Sequence, residues 1–137
     1  VIDIASKYDV EIISRKKNLL GDAEVCDVYV DVINYLIEYK KIISNSFEYV
    51  VGIQPDHPDR DNSLDELLTY AFNNKYDDLF TVSKNYVRTG SVRILRMKHI
   101  QDGFVSRRVG CYKDDATNIH SLDDLKNAAI RIKSQNK

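Results

Sequence analysis

The sequence predicts an α/β fold built on a mostly parallel sheet. Helix-like and strand-like segments alternate along the chain, which is typical of strands joined by helical crossovers. The run FEYVVGI, residues 47–53, is largely apolar, as expected of a strand buried on both faces. With 137 residues the chain has the usual length of one domain, and we expect a single domain over residues 1–137.

Two helices and two strands are predicted in the first part of the chain. The first helix starts at Ile2 and ends near Tyr8, and a short buried strand follows at Val10–Ile13. Asp22 is the predicted N-cap of a long helix, because apolar residues then recur every 3.6 positions as far as Ile43. The run 47–53 is the next strand.

The second part begins with a helix signal and continues with short strands. Ser63 and Glu66 match a capping box, in which each side chain bonds the other residue's backbone amide. Strands are expected at 79–82 and 91–97. The remaining predictions are turns around Gly103 and Gly110, a brief extended segment at Thr117–His120, and a final helix capped by Ser121–Asp124.

Composition narrows the range of partners and compartments. Lys and Arg number 20 against 21 Asp and Glu, so the basic excess typical of nucleic-acid binding is missing. No apolar run approaches the roughly 18 residues that span a bilayer, and no signal peptide is recognisable. Cys26 and Cys111 fit no metal-ligand spacing and indicate reduced thiols of a cytoplasmic protein, with a disulfide left open.

The loop IQPDHPDRDN, residues 53–62, follows the most strand-like run and is the first candidate site. It contains both prolines of the chain, together with a histidine and several charged side chains. Ligands of parallel α/β sheets bind beyond the carboxyl ends of the strands, which favours a ligand-facing loop. Pro and Asp are also common in ordinary turns, so loop chemistry alone leaves both interpretations open.

Four segments carry a resemblance to one protein family. QPDHPDR, residues 54–60, resembles the QPTSPLR motif of the acylneuraminate cytidylyltransferases, or CMP-sialic acid synthetases. Residues 4–36 are similar to that family's helix, strand, RP-x-x-L-x-x-D connection and long helix. RTGSVRILRMKHI, residues 88–100, resembles the family strand NGAIYIFR, and TNIHSLDDLKNAA, residues 117–129, is similar to IDIDTxEDLxxAE. The order is that of the family, and the resemblance covers nearly the whole chain.

The resemblance implies a three-layer nucleotide-diphosphosugar transferase fold, which is Rossmann-like, here without its first βα segment. It implies that CTP and an acidic, sialic-acid-like sugar react to give CMP-sugar and pyrophosphate, with Mg²⁺ or Mn²⁺ as cofactor. The family's glycine-rich, basic triphosphate loop would precede Val1. We therefore expect the chain to be the C-terminal portion of a cytidylyltransferase-like domain, active when complete and inactive alone.

The resemblance also implies a homodimer. In the family a sizeable insertion between two strands forms the dimer and closes over the partner's sugar site. At the matching place this chain has only SKNYVRTG, residues 83–90.

The motif at 54–60 supplies the implied substrate and catalytic residues. Gln54 matches the family glutamine, and its amide suits a polyhydroxylated sugar acid. Arg60 matches the motif arginine, which pairs bidentately with a carboxylate or phosphate. Pairing with Asp56 or Asp59, which would only brace the loop, is an equal alternative. Asp56 and His57 stand where the family has small hydroxyl residues. Three interpretations are open: the pair serves a different sugar, one of the two helps to deprotonate the attacking hydroxyl, or Asp56 caps the loop while His57 is solvated.

A second basic segment lies in SRRVG. Arg107 and Arg108 precede Gly110 there, and they offer positive charge to an anionic substrate or phosphate. The alternative is a pair of solvated loop arginines. We include Arg107 among the substrate-binding candidates.

Nucleotide and metal candidates come from the remaining motifs. Arg15 and Asp22 match the connection whose arginine helps to hold the nucleotide, and Cys26 falls where the family has a small hydroxyl near the base. A thiol bonds poorly, so a buried structural Cys stays open. Asn118 and His120 match the two metal-binding aspartates of the family's DID. An imidazole suits a transition metal better than Mg²⁺. The alternative is a degenerate metal site in a non-catalytic relative that binds a nucleotide or nucleotide sugar.

Overall fold

The computed structural model describes residues 2–21, 24–42 and 46–135, and the chain divides into two compact units, Val1–Ser46 and Phe47–Lys137. The first unit contains helix α1 (Ile2–Ala5), a 3₁₀ turn (Lys17–Leu19) and helix α2 (Val25–Lys40). The residues described in this unit form no β-strand.

The strand predicted at Val10–Ile13 is wrong, because an apolar run becomes a strand only against a partner edge. Glu11 instead contacts α2, accepting a hydrogen bond from the Tyr35 hydroxyl at 3.2 Å and lying 2.9 Å from Lys40 Nζ. The long helix is confirmed, but it ends earlier than predicted, at Lys41 in the left-handed conformation. Its predicted N-cap, Asp22, lies outside the described residues.

The second unit is a mixed α/β structure with a four-stranded sheet. Its strands are β1 (Tyr49–Ile53), β2 (Asp78–Val82), β3 (Arg88–Arg96) and β4 (Val109–Lys113), in the spatial order β1-β3-β2-β4. Strand β4 pairs parallel with β2, whereas β3 pairs antiparallel with both β1 and β2. The sheet is therefore mixed, and the prediction of a mostly parallel sheet is wrong for two of the three pairings. The short connection after β2 explains this, since a tight loop joins only antiparallel neighbours.

The remaining differences from the predictions concern β1, β4 and the segment that follows β4. β1 is half-buried rather than buried, because β3 is its only partner in the described part of the sheet. Gly110 is not a turn residue but lies in β4, where a Cβ would come within 2.5 Å of the Tyr76 ring. Thr117–His120 forms no strand. β4 is short and half-exposed, so its apolar pattern was too weak to predict.

Helix α3 (Leu64–Asn73) covers the sheet and builds the core. It begins as predicted, with Ser63 Oγ accepting the Glu66 amide at 3.1 Å. Leu67 and Ala71 of this helix pack against Leu79 of β2 and against β3. Burying one such leucine side chain contributes about 1.5–3 kcal/mol.

Two further helices complete the second unit. A short helix α4 (Met97–Gln101) follows β3 directly, where the sequence predicted a strand running to Met97. Helix α5 (Leu122–Gln135) starts at a reciprocal cap: Ser121 Oγ accepts the Asp124 amide at 3.2 Å, and Asp124 Oδ2 accepts the Ser121 amide at 2.8 Å. Within the described ranges, no helix has the length and apolar character to cross a membrane.

Candidate functional site

The candidate site lies at the carboxyl edge of the sheet, which is formed by the carboxyl ends of β1, β2 and β4. The opposite edge is formed by the amino ends of the same strands. Loop 54–62 leaves β1 there, and segment 114–120 leaves β4. The Gln54 amide bonds the Ser91 carbonyl at 3.0 Å, which continues the β1–β3 pairing into the loop. Asn62 Nδ2 donates to the Lys113 carbonyl at 3.1 Å. Because parallel strands end at the same edge, two segments far apart in sequence meet here.

Arg60 braces the loop from inside. Its Nη2 donates to the Gln54 carbonyl at 2.8 Å, and its Nε lies 3.4 Å from the hydroxyl of buried Ser91. Two nitrogens of Arg60 therefore brace the loop, as one of the two interpretations predicted. Their partners are a carbonyl and a serine rather than the predicted Asp56 or Asp59. Two donors of one rigid guanidinium thus connect the loop to β3.

Asp59 joins the loop to the segment after β4. The residue is fully buried, at 0% exposure. Its carboxylate accepts the Thr117 amide at 2.8 Å and the Thr117 hydroxyl at 2.6 Å, and Arg131 Nε of α5 lies 3.2 Å away. Burial raises the pKa of the Asp59 carboxyl, but the Thr117 hydrogen bonds and the Arg131 charge outweigh it and hold that pKa below its usual value.

Asp56 and His57 form a bonded pair. His57 Nδ1 lies 2.8 Å from Asp56 Oδ1, and because a carboxylate only accepts, Nδ1 is the donor of this hydrogen bond. His57 is 2% exposed, which overturns the expectation of a solvated ring, and its Nε2 has no hydrogen-bond partner among the residues described. The Asp56 side chain is 43% exposed and is the accessible member of the pair.

Asn118 and His120 lie next to this pair. The Ile119 amide between them bonds the Asp56 carbonyl at 3.0 Å. Both side chains belong to exposed residues. The structure thus brings the loop residues and the two metal candidates to one place, as the resemblance implies.

The donor set at this place does not fit Mg²⁺. Both Asp59 oxygens are occupied by Thr117, and one oxygen of buried Asp114 accepts the Ala116 amide at 3.1 Å. Asn118 and His120 offer an amide and an imidazole where Mg²⁺ prefers carboxylates. Over the parts of the chain that the structure describes, no group of three or more His, Cys, Asp or Glu could hold a metal ion.

The other candidates are Arg107, Arg15, Cys26 and Asp22. Arg107 precedes β4, so it sits at the opposite edge of the sheet, about 16 Å away if measured by the length of that five-residue strand. Arg15 and half-buried Cys26 belong to the first unit, and Asp22 lies outside the described residues.

Sequence reasoning missed the residues that hold the site together. Thr117 was predicted only as part of an extended segment, and Ser91 only as the start of a strand. Arg131 was not singled out at all. No local pattern marks them, because each acts through a partner many positions away: 58 in the case of Thr117 and Asp59.

No family model and no curated protein matches this chain in comparison. The function of the site therefore has to follow from its residues and from the resemblance of its segments.

Proposed function

We propose that loop 54–60 and segment 117–120 form the acidic-sugar side of a nucleotidyltransferase site of the acylneuraminate cytidylyltransferase type. One observation carries the proposal. The two segments that resemble that family's motifs, 54–60 and 117–129, are bonded to each other through Thr117 to Asp59 and through Ile119 to Asp56. They meet where α/β sheets bind their ligands. A nucleotide-diphosphosugar transferase fold for the complete domain is part of this proposal.

Gln54 is the proposed contact to the sugar acid. Its amide N–H bonds Ser91 and its carbonyl accepts from Arg60, so both of these bonds use the backbone and neither uses the side-chain amide. A primary amide both donates and accepts, which suits neighbouring sugar hydroxyls. Because the backbone on either side is held, the amide is presented from a rigid position.

Asp56 is the proposed acceptor of the proton that leaves the sugar. In the reaction a sugar hydroxyl oxygen forms a bond to the α-phosphorus of CTP. The bond between that phosphorus and the oxygen bridging to the β-phosphate breaks, and pyrophosphate departs with the electron pair of that bond. The hydroxyl proton needs a base within hydrogen-bond reach. Asp56 is accessible, and His57 orients its carboxylate through Nδ1. The resemblance implies Mg²⁺ or Mn²⁺, but the two positions that match the family's metal ligands, Asn118 and His120, carry no carboxylate.

A second candidate function is binding without catalysis. Asn118 and His120 occupy the places of two metal-binding aspartates, and neither carries a carboxylate. A relative that keeps the sugar loop but not the metal ligands would bind a nucleotide or nucleotide sugar. This candidate shares the loop contacts of the first and differs only in turnover.

The test measures pyrophosphate release from CTP by the full chain that the gene encodes, with Mg²⁺ or Mn²⁺ and a panel of sialic-acid-like sugar acids. We expect release with one acid. Gln54→Ala should lower kcat/KM for that acid by about tenfold or more, the effect of losing one or two hydrogen bonds in the transition state. Gln101→Ala is the matched control, because Gln101 is an exposed glutamine of α4 beyond the other edge of the sheet.

The outcomes separate the two candidates. Release that Gln54→Ala lowers and Gln101→Ala does not supports the transferase. Binding of a CMP-sugar without release, weakened by the same variant, supports the non-catalytic relative. A folded protein that neither releases pyrophosphate nor binds a CMP-sugar would overturn both.

A further inference from the structure

A cavity lies at the opposite edge of the sheet, where β2 and β4 begin. Its volume is about 290 Å³, and its walls come from α4, the loop that follows it and the residue before β2. That volume is at the small end of ligand cavities and suits one compact polar group. Its charged and polar lining residues are Asp77, Lys98, His99, Asp102, Ser106, Arg107 and Arg108.

Asp77 organises one wall of this cavity. It is 6% exposed, and its carboxylate accepts two hydrogen bonds from Arg108, at 2.9 Å each, and one from the Ser106 hydroxyl at 2.6 Å. Ser106 Oγ also accepts the Arg108 amide at 3.0 Å. The basic loop is thereby held in one conformation before any ligand arrives, which reduces the ordering cost of binding.

The charge of the cavity is positive on balance. Lys98, Arg107 and Arg108 of the lining outnumber its two carboxylates, Asp77 and Asp102. Outside the lining, Arg96 Nε also lies 3.4 Å from Asp77. Burial raises the pKa of the Asp77 carboxyl, but the hydrogen bonds from Ser106 and Arg108 outweigh it and keep that pKa below its usual value. Asp77 is therefore ionised at neutral pH, and the net charge of the cavity is positive with the negative charge of Asp77 included.

Further cations of the cavity reach solvent. Lys98 is 77% exposed on its side chain, and its contact to Asp102 is long, at 3.7 Å; exposed pairs of this kind contribute little. Arg107 is exposed, and Arg108 is 55% exposed on its side chain although it is bonded to Asp77. These three side chains can be reached by a dissolved anion.

His99 adds a buried polar group to the same wall. It is 5% exposed and held edge-on against the Phe104 ring, with 5.4 Å between the centroids. Its Nδ1 is buried without a hydrogen-bond partner from the described residues. A buried nitrogen without a hydrogen-bond partner is destabilising, and a polar ligand in this cavity would supply the missing partner.

We propose that this cavity binds a phosphate group, held by Arg107, Arg108 and Lys98 with His99 beside it. Guanidinium groups match the geometry of phosphate oxygens and pair with them through two parallel hydrogen bonds. The phosphate group belongs either to the free ion or to a small phosphate monoester. This site is separate from the proposed nucleotidyltransferase site and does not depend on it, because the length of the sheet lies between the two.

The test is a titration of the ¹⁵N-labelled full chain with inorganic phosphate, and in a second arm with phosphoserine, followed by amide chemical shifts. Saturable shifts are expected at residues 98–108, and added NaCl should weaken them because the cations are exposed. Arg107→Ala should weaken binding about tenfold, as loss of a charge-assisted bond implies. Arg88→Ala is the control: it removes an exposed arginine that begins β3 at the other edge.

The two arms distinguish the sources. Tighter binding of phosphoserine indicates a phosphorylated ligand, and binding of phosphate alone indicates the free ion; both support the site. Equal weakening by Arg107→Ala and Arg88→Ala would reveal a general charge effect and overturn the proposal. So would unsaturable shifts in both arms, or equal shifts with the same concentration of chloride.

Discussion

The two edges of the sheet each contain a buried aspartate bonded to a hydroxyl and an arginine, and they use it differently. Asp59 bonds Thr117 and Arg131, whereas Asp77 bonds Ser106 and Arg108. Asp59 is enclosed, so its bonds tie loop 54–62 to segment 114–120 behind the candidate site. Asp77 lies beneath solvent-exposed cations and keeps them in place.

Asp59 cross-links two segments of the chain, whereas Asp77 supports a charged surface. At the first edge the carboxylate supplies the contact between two sequence-distant segments, and nothing in that contact is offered to a ligand. At the second edge the carboxylate and its partners are neighbours in the sheet, because Asp77 precedes β2 and Arg108 precedes its parallel partner β4. The same chemical group thus stabilises a tertiary junction in one place and shapes a charged surface in the other.

The largest expected effect is that of Asp59→Ala. We expect it to lower the free energy of unfolding of the second unit by about 3–5 kcal/mol, because Arg131 and Thr117 lose a buried partner. Urea unfolding followed by circular dichroism at neutral pH measures it. The matched control is Asp61→Ala, in the same loop: Asp61 also contacts Arg131, at 3.2 Å, but is 53% exposed on its side chain. It should cost less than about 1 kcal/mol, and equal losses would contradict the cross-link.

Removing the arginines should give the next largest difference. Arg131→Ala leaves the fully buried Asp59 with Thr117 as its partner, whereas Arg108→Ala leaves Asp77 with Ser106 and Arg96. We expect Arg131→Ala to be about 2 kcal/mol more destabilising, since an uncompensated charge costs most where it is buried. The same unfolding measurement compares the two. A larger loss for Arg108→Ala would reverse the roles assigned to the two edges.

Acid should remove part of the stability at both edges. The folded-state pKa values of Asp59 and Asp77 are lowered, so their contribution is present above the unfolded value of about 3.9 and is lost as pH falls below it. Urea midpoints measured from pH 6 to pH 2.5 should therefore drop below about pH 4. Asp59→Asn and Asp77→Asn should each make that drop shallower, and additively, because the two sites share no partner. An unchanged slope in either variant would contradict its assigned role.

The smallest expected effects come from the hydroxyl groups. Thr117→Val and Ser106→Ala each remove a 2.6 Å bond to a carboxylate and should each lower the free energy of unfolding by about 1–2 kcal/mol. Thr69→Val, on the exposed side of α3, is the control and should stay within about 0.5 kcal/mol. If Thr117→Val and Ser106→Ala lose no more free energy of unfolding than Thr69→Val, the arginines alone stabilise the two aspartates.

Local signals determined a large part of this structure. The caps predicted at Ser63 and Ser121 marked where α3 and α5 begin, because a cap is a contact between residues three positions apart. Apolar periodicity predicted α2 and α3, and the polar loop after β1 was correctly located at the carboxyl end of its strand. The sequence also placed Asp56, His57 and Asn118 on segments that the structure brings together.

Only the tertiary structure decided what depends on partners distant in sequence. The reversed direction of β3, the half-burial of β1 and the strand character of β4 follow from which edges meet, and a single strand does not record its partner. His57 was expected to be solvated because it lies in a polar loop, yet it is 2% exposed. Arg131 and Thr117 became site residues only because the chain brings them to Asp59. A sequence pattern reports spacing along the chain, whereas burial and ion pairing are set by distances across it.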